Sequence, residues 1–188
     1  MKKSWSATQR LPGAAALVLV LAMLCLPSLA LAQRGEAESG RLMMDTVTQA
    51  LQVVRNTAME QPRRRAALRI LAEKRFDVGT MARLSLGSTA WAALNGDQQK
   101  EFQKVFADDL FGTYIRNLET LGNETVELLR NQQADDRASV LTLVMGTETK
   151  AQIEYKLFQR EKDWLVYDVI VDGVSVIKTT RNQYEPLL

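Results

Sequence analysis

The chain has no histidine and one cysteine in 188 residues. Without histidine there is no Ser-His-Asp triad, no Cys-His dyad and no histidine-based zinc site. The single cysteine, Cys25, lies in an N-terminal stretch that reads as an export signal. Lys2, Lys3 and Arg10 form its basic region, Ala14 to Leu26 its apolar region, and Ala30-Leu31-Ala32 an Ala-x-Ala cleavage site. Cleavage after Ala32 is expected, leaving a domain of residues 33–188 without cysteine and so without disulfides. An uncleaved anchor is disfavoured because the apolar run is short for a spanning helix. A lipoprotein is disfavoured because Leu24 is bulky for the position before a lipidated cysteine. The expected compartment is the periplasm.

Charge of one sign is also missing. Removing residues 1–32 takes Lys2, Lys3 and Arg10 with it and leaves 21 basic against 22 acidic residues, a net charge of −1. Nothing in this balance calls for nucleic acid. No EF-hand spacing, internal repeat or low-complexity segment occurs, and no metal site is expected. The 156 remaining residues suit one domain.

What is present falls into two halves. Residues 36–59 carry Leu42, Met43, Val47, Leu51 and Val54 near the helical period, after a linker at about 33–40. Pro62 suits the first turn of a second helix to about Lys74, with Ala67, Leu68 and Leu71 inward. Asp77 is placed to cap a short third helix containing Met81 and Leu84, which Gly87 stops. Asn95 and Gln98 read as a capping box for a long helix ending near Gly122. On that helix Phe102, Val105, Phe106, Leu110 and Tyr114 form a wide apolar stripe, with Phe111, Ile115 and Leu118 beside it. Core packing and cavity lining are both open readings of the stripe.

From Glu124 the period becomes 2. One strand is expected to begin at Val126 and Leu128 and others to follow at Ser139–Met145, Ala151–Leu157 and Trp164–Val171, joined by short connections into an antiparallel meander. Strict alternation in the last strand puts Leu165, Tyr167, Val169 and Val171 on one face. Trp164, Val166, Asp168, Ile170 and Asp172 fall on the other. Both faces look apolar enough to be covered. Asp172-Gly173 breaks the strand, and Ser175 is a plausible N-cap for a terminal helix. Helices first and sheet second define an α+β class: N-terminal helices on a four-stranded antiparallel sheet.

Two segments carry a family resemblance. Tyr167–Leu188 shows an aromatic residue, Asp168, three apolar residues, Asp172 and then Gly173-Val174-Ser175 before a helix. Phe76–Leu94 shows Phe-Asp-x-x-x-Met-x-x-x-x-Leu-Gly. In this order, in an exported chain of this length, they resemble MlaC-type periplasmic phospholipid-binding proteins, the toluene-tolerance family. Family members usually carry a further helix after the Gln183-Tyr184 region. The resemblance implies a nuclear-transport-factor-2-like sheet packed on helices, with an apolar lipid cavity between the layers. It implies a monomeric carrier that is not an enzyme and has no cofactor, phospholipid being its cargo. The implied partners are an inner-membrane ABC transporter with its periplasmic lipid-binding subunit and an outer-membrane lipoprotein–porin complex, which together maintain lipid asymmetry. A hopanoid-associated relative is the alternative within the superfamily.

The expected lipid wall is Phe102, Val105, Phe106, Leu110 and Tyr114 facing Leu141, Leu143, Ile153, Tyr155, Val169 and Val171. Phe106→Asp is then expected to empty the carrier more than it lowers expression. Arg63-Arg64-Arg65 reads either as a solvated helix face or as a contact for anionic headgroups or an acidic partner. Asp168, among apolar neighbours, must pair, hydrogen-bond or reach water. The competing class is an isomerase that would use Tyr114 or Tyr155 with Asp168 in a compact apolar pocket.

Overall fold

The structure is a computed structural model that describes residues 27–148 and 150–187. The expected signal peptide therefore lies for the most part outside the described residues. No described helix is long and apolar enough to cross a membrane.

The first helix, α1, runs Pro27–Arg55. Residues 33–40 are thus helical, not a linker, because Gln33-Arg34-Gly35-Glu36-Ala37-Glu38 is composed largely of good helix formers. The helix α2 (Gln61–Arg75) has Pro62 in its first turn. In α3 (Val78–Leu86) the Asp77 carboxylate accepts hydrogen bonds from the Thr80 amide and hydroxyl, both at 3.0 Å. Gly87 ends α3 at φ 87°, a left-handed conformation that a side chain would strain. A short helix not anticipated from the sequence, α4 (Ser88–Ala93), follows directly. The long helix α5 (Gly96–Leu118) starts with the expected capping box: Asn95 Oδ1 accepts from the Asp97 and Gln98 amides, and Gln98 Oε1 accepts from the Asn95 amide.

The sheet is one antiparallel meander, β1 (Thr125–Ala134), β2 (Arg137–Met145), β3 (Lys150–Arg160), β4 (Asp163–Val171) and β5 (Val174–Ser175), in that spatial order. It has five strands where four were expected; the fifth is two residues long. Asp172 and Gly173 both take positive φ, as a tight two-residue hairpin loop requires. The helix α6 (Val176–Tyr184) then begins on Ser175, whose hydroxyl accepts from the Lys178 amide at 3.0 Å.

Register decides what faces what. Residues directly opposite on neighbouring strands share a face. The rows Ala138–Leu157–Val166, Val140–Tyr155–Val169 and Thr142–Ile153–Val171 make the inner face, on which the helices pack. Leu157 pairs with Val166 but Lys156 pairs with Asp168, so Tyr167 is an extra, bulged residue. The bulge shifts the alternation by one. Trp164 and Val166 therefore share the inner face with Val169 and Val171, correcting the strict two-face reading of this strand. Among the described residues no protein layer covers the other face. Leu165, Tyr167 and Ile170 are half-buried. Arg137 lies over the Phe158 and Tyr167 rings at 5.5 and 5.3 Å, and Arg160 over Phe158 at 5.2 Å.

Two apolar clusters fill the space between sheet and helices. One joins Leu68, Met81, Phe106, Leu110, Phe111, Ile115, Val176 and Ile177 among the helices. The other joins Met43 of α1 to Ala138, Val140, Tyr155, Leu157, Trp164 and Val166 on the sheet. Gly40 lets α1 approach β1, since a Cβ there would stand 2.6 Å from Asn131 Nδ2. Ser39 next to it donates to Asn131 Oδ1 at 3.0 Å. Arg75 ties the layers together, donating from Nε to Thr46 of α1 and from Nη1 to the Trp164 carbonyl of β4. Burial lowers the pKa of this guanidinium, and Asp163 partly opposes the shift.

Candidate functional site: the seam between helices and sheet

The two clusters meet at Phe76 and Val169, which pack against both. Phe76 connects α2 to α3 and forms a parallel bridge with Val166, fixed by the Asp77 amide donating to the Val166 carbonyl at 2.9 Å. Its ring meets Phe111 edge-on at 6.3 Å. The seam along these residues is apolar on both sides.

The sequence-predicted wall residues do not all fall in one place. Phe106 and Leu110 are buried in the helical cluster, at 2 % and 8 % exposure. Phe102 is half-buried, stacked on Phe106 and edge-on to Tyr184. Ile153, Tyr155, Val169 and Val171 lie in the inner rows of the sheet. Three placements need correction. Leu141 and Leu143 pair with Glu154 and Gln152, so they lie on the outer face, away from Ile153 and Tyr155. That face is polar: Lys156 bonds Glu154 at 2.6 Å and Ser139 donates to the same carboxylate. These two bonds hold the Glu154 carboxyl below its ordinary pKa, with Lys156 the larger cause. Val105 is 57 % exposed and belongs to the solvent side of α5.

Tyr114 is informative because it breaks the pattern. At 100° per residue it falls between Leu110 and Phe111, in the middle of the apolar arc of α5. Its flanking neighbours are buried, yet Tyr114 is 40 % exposed. The helical layer is therefore open at this point, beside Asp168, whose charge adds to partial burial in raising the Tyr114 pKa. Phe76, Met43, Trp164 and Phe111 also border the seam and were not in the predicted wall. Met43 and Phe111 were visible as helical periodicity. Phe76 and Trp164 depend on the bridge and the bulge, which periodicity does not reveal.

The pair required by an isomerase is not assembled. Asp168 accepts from the Ser175 hydroxyl at 2.6 Å and from the Ile177 amide at 3.2 Å, fastening the start of α6 to β4. Tyr155 is buried with its hydroxyl on Thr142. Among the described residues no tyrosine hydroxyl bonds a carboxylate, and no group of three or more His, Cys, Asp or Glu side chains is placed to hold a metal. Asp168→Ala is expected to destabilise the fold by about 1–2 kcal/mol through loss of these bonds. In thermal denaturation that is a fall of about 3–6 °C.

Comparison with known proteins agrees with this architecture. A family model described as MlaC protein matches residues 44–188. The chain belongs to the MlaC family. No curated protein sequence matches it. Among solved structures, the phospholipid-binding protein from Ralstonia solanacearum, determined in complex with a phospholipid, is similar at TM-score 0.67. The two share 21 % identity over 78 % of this chain and 85 % of that one, which shows a common fold. Membership of the MlaC family points to a lipid-binding protein and not to an enzyme.

Proposed function

We propose that this chain is an exported periplasmic carrier that holds phospholipid acyl chains in the seam between the helical layer and the inner face of the sheet. It hands them between an outer-membrane lipoprotein–porin complex and the periplasmic lipid-binding subunit of an inner-membrane ABC transporter. The observation that carries the reading is the apolar seam through Phe76 and Val169, in an MlaC-family chain whose solved structural neighbour was determined with phospholipid. Each methylene removed from water is worth about 0.8 kcal/mol, so two chains of ~16 carbons represent on the order of 25 kcal/mol gross. An aliphatic and aromatic sleeve supplies this without any catalytic group. Parting two packed clusters sets an opposing cost, which keeps the cargo releasable. The residues preceding 33 serve as a cleaved signal.

Native mass spectrometry of protein purified from periplasm, followed by lipid extraction, tests the reading. Phospholipid in stoichiometric amount is the expected result, whereas a hopanoid mass would move the cargo to the related class. A clean apo mass, with no transfer of lipid from donor vesicles, would refute the carrier.

A further inference from the structure

One side of α2 takes no part in the core. Arg63, Ala67, Ile70 and Lys74 follow one another at the i, i+4, i+7 and i+11 spacing of a single helical stripe, and Ile70 is 66 % exposed. Between this stripe and α1 lies a concavity of about 400 Å³. Val53, Met59, Ala67 and Leu71 form its apolar floor, and Gln49, Gln52 and Asn56 an uncharged polar wall.

The cations around this groove differ from the others on α2. Arg65 is paired with Glu119 at 2.8 Å, and Arg69 with Glu73 and Asp108, both at 2.7 Å. Arg75 is buried against the Trp164 carbonyl. Arg63 and Lys74 are exposed and make no ion pair among the described residues. Arg64 donates to the Met59 carbonyl at the groove's end. Glu60 is the one acid within four residues of Arg63 along the chain. Beside Lys74 the acids Glu73 and Asp77 are paired with Arg69 and Arg160, so the rim of this uncharged groove carries an excess of positive charge, to which the N-terminal end of α2 adds.

A single large apolar side chain set between long cationic ones suits insertion among lipid headgroups, with the cations reaching up to the phosphates. Glutamine and asparagine along the other wall can donate to ester and phosphate oxygens. We propose that the α1/α2 groove, with Ile70 as its apolar anchor and Arg63, Arg64 and Lys74 as its charges, is the surface by which this protein docks on an anionic phospholipid bilayer. The proposal rests on the carrier reading, in that a carrier exchanging lipid with complexes embedded in two membranes gains from a hold on the membrane surface, but its residues are separate from the seam, so each can fail without the other.

Co-sedimentation of the exported chain with vesicles of phosphatidylglycerol and phosphatidylcholine, against phosphatidylcholine alone, tests the docking. Binding to the anionic vesicles, weakening as salt rises, is expected. The double variant Arg63→Gln/Lys74→Gln should lose roughly thirtyfold in apparent affinity, each cation near a membrane surface being worth roughly fivefold. Ile70→Ser should lose several-fold. All three side chains are exposed, so circular dichroism and the amount of co-purified lipid should not change. Equal binding to neutral vesicles, or undiminished binding by the variants, overturns the proposal. A wild-type protein that carries lipid but ignores anionic vesicles overturns the docking and leaves the carrier intact. One that sediments with anionic vesicles but holds no lipid supports the docking and removes the carrier.

Discussion

Phe106→Asp is expected to abolish the folded domain, not merely to empty it. Phe106 is 2 % exposed and packed among Leu110, Met81 and the α6 residues Val176 and Ile177. Losing the ring costs about 3–5 kcal/mol. A carboxylate left there without a partner adds several more or forces the site open. Together these approach the whole stability of an ordinary domain, about 5–15 kcal/mol. The substitution that separates cargo from folding is Val169→Phe. Val169 is half-buried, faces the seam and touches both clusters. Added bulk there costs about 1–3 kcal/mol, which a folded domain survives, while it occupies the space an acyl chain needs. The expected pair of results is loss of soluble Phe106→Asp protein and recovery of folded Val169→Phe with little co-purified phospholipid. If Val169→Phe carried a full complement of lipid, the seam would not be the cargo site. If Phe106→Asp folded and merely lost lipid, Phe106 would be wall and not core.

These two residues also show what the sequence made legible. Three helix starts could be read because each is a local hydrogen-bond device: Asp77, Asn95 and Ser175 all cap as expected. The order of elements and the antiparallel meander followed from the change of period at Glu124. The position of the core was harder to read. The α5 stripe reads as Phe102, Val105, Phe106, Leu110 and Tyr114 with Phe111, Ile115 and Leu118 beside it; because α5 has helices on two sides, Phe111 and Ile115 are buried together with Phe106 and Leu110, while Val105 is exposed. Strand parity was right for Ile153 and Tyr155 and wrong in grouping Leu141 and Leu143 with them, because alternation assigns two faces without saying which pairs across to the neighbouring strand. The bulge at Tyr167 is a third case. A single inserted residue moves Trp164 and Val166 onto the face of Val169, and no composition signal marks it. The candidate seam is built from exactly such non-local pairings, which is why Phe76 and Trp164 were absent from the predicted wall.

The seam should also give the protein an alkaline limit. Burial pushes the Tyr155 phenol up to about 12 from its ordinary value of 10, and its hydrogen bond with Thr142 opposes the shift only in part. A phenol raised in the folded state is held neutral there, while in the unfolded chain it ionises near 10. Its contribution to stability is therefore complete below pH 10 and is lost as pH rises through about 12. The linkage amounts to about 3 kcal/mol in full, of which about 2 kcal/mol is gone by pH 12. Tyr114 and Tyr184 are raised too, by burial first and then by Asp168 and Asp109. Wild type must therefore be compared with Tyr155→Phe, in which that background is unchanged. At pH 8 the variant should be less stable by about 1 kcal/mol for the lost hydrogen bond. Near pH 12 the order should invert, because phenylalanine has no proton to lose. Urea unfolding at pH 8, 10 and 12 measures both ends of this exchange. Parallel stability curves for the two proteins across that range would mean that the Tyr155 hydroxyl reaches water, and that the sheet side of the seam is open where it is drawn closed.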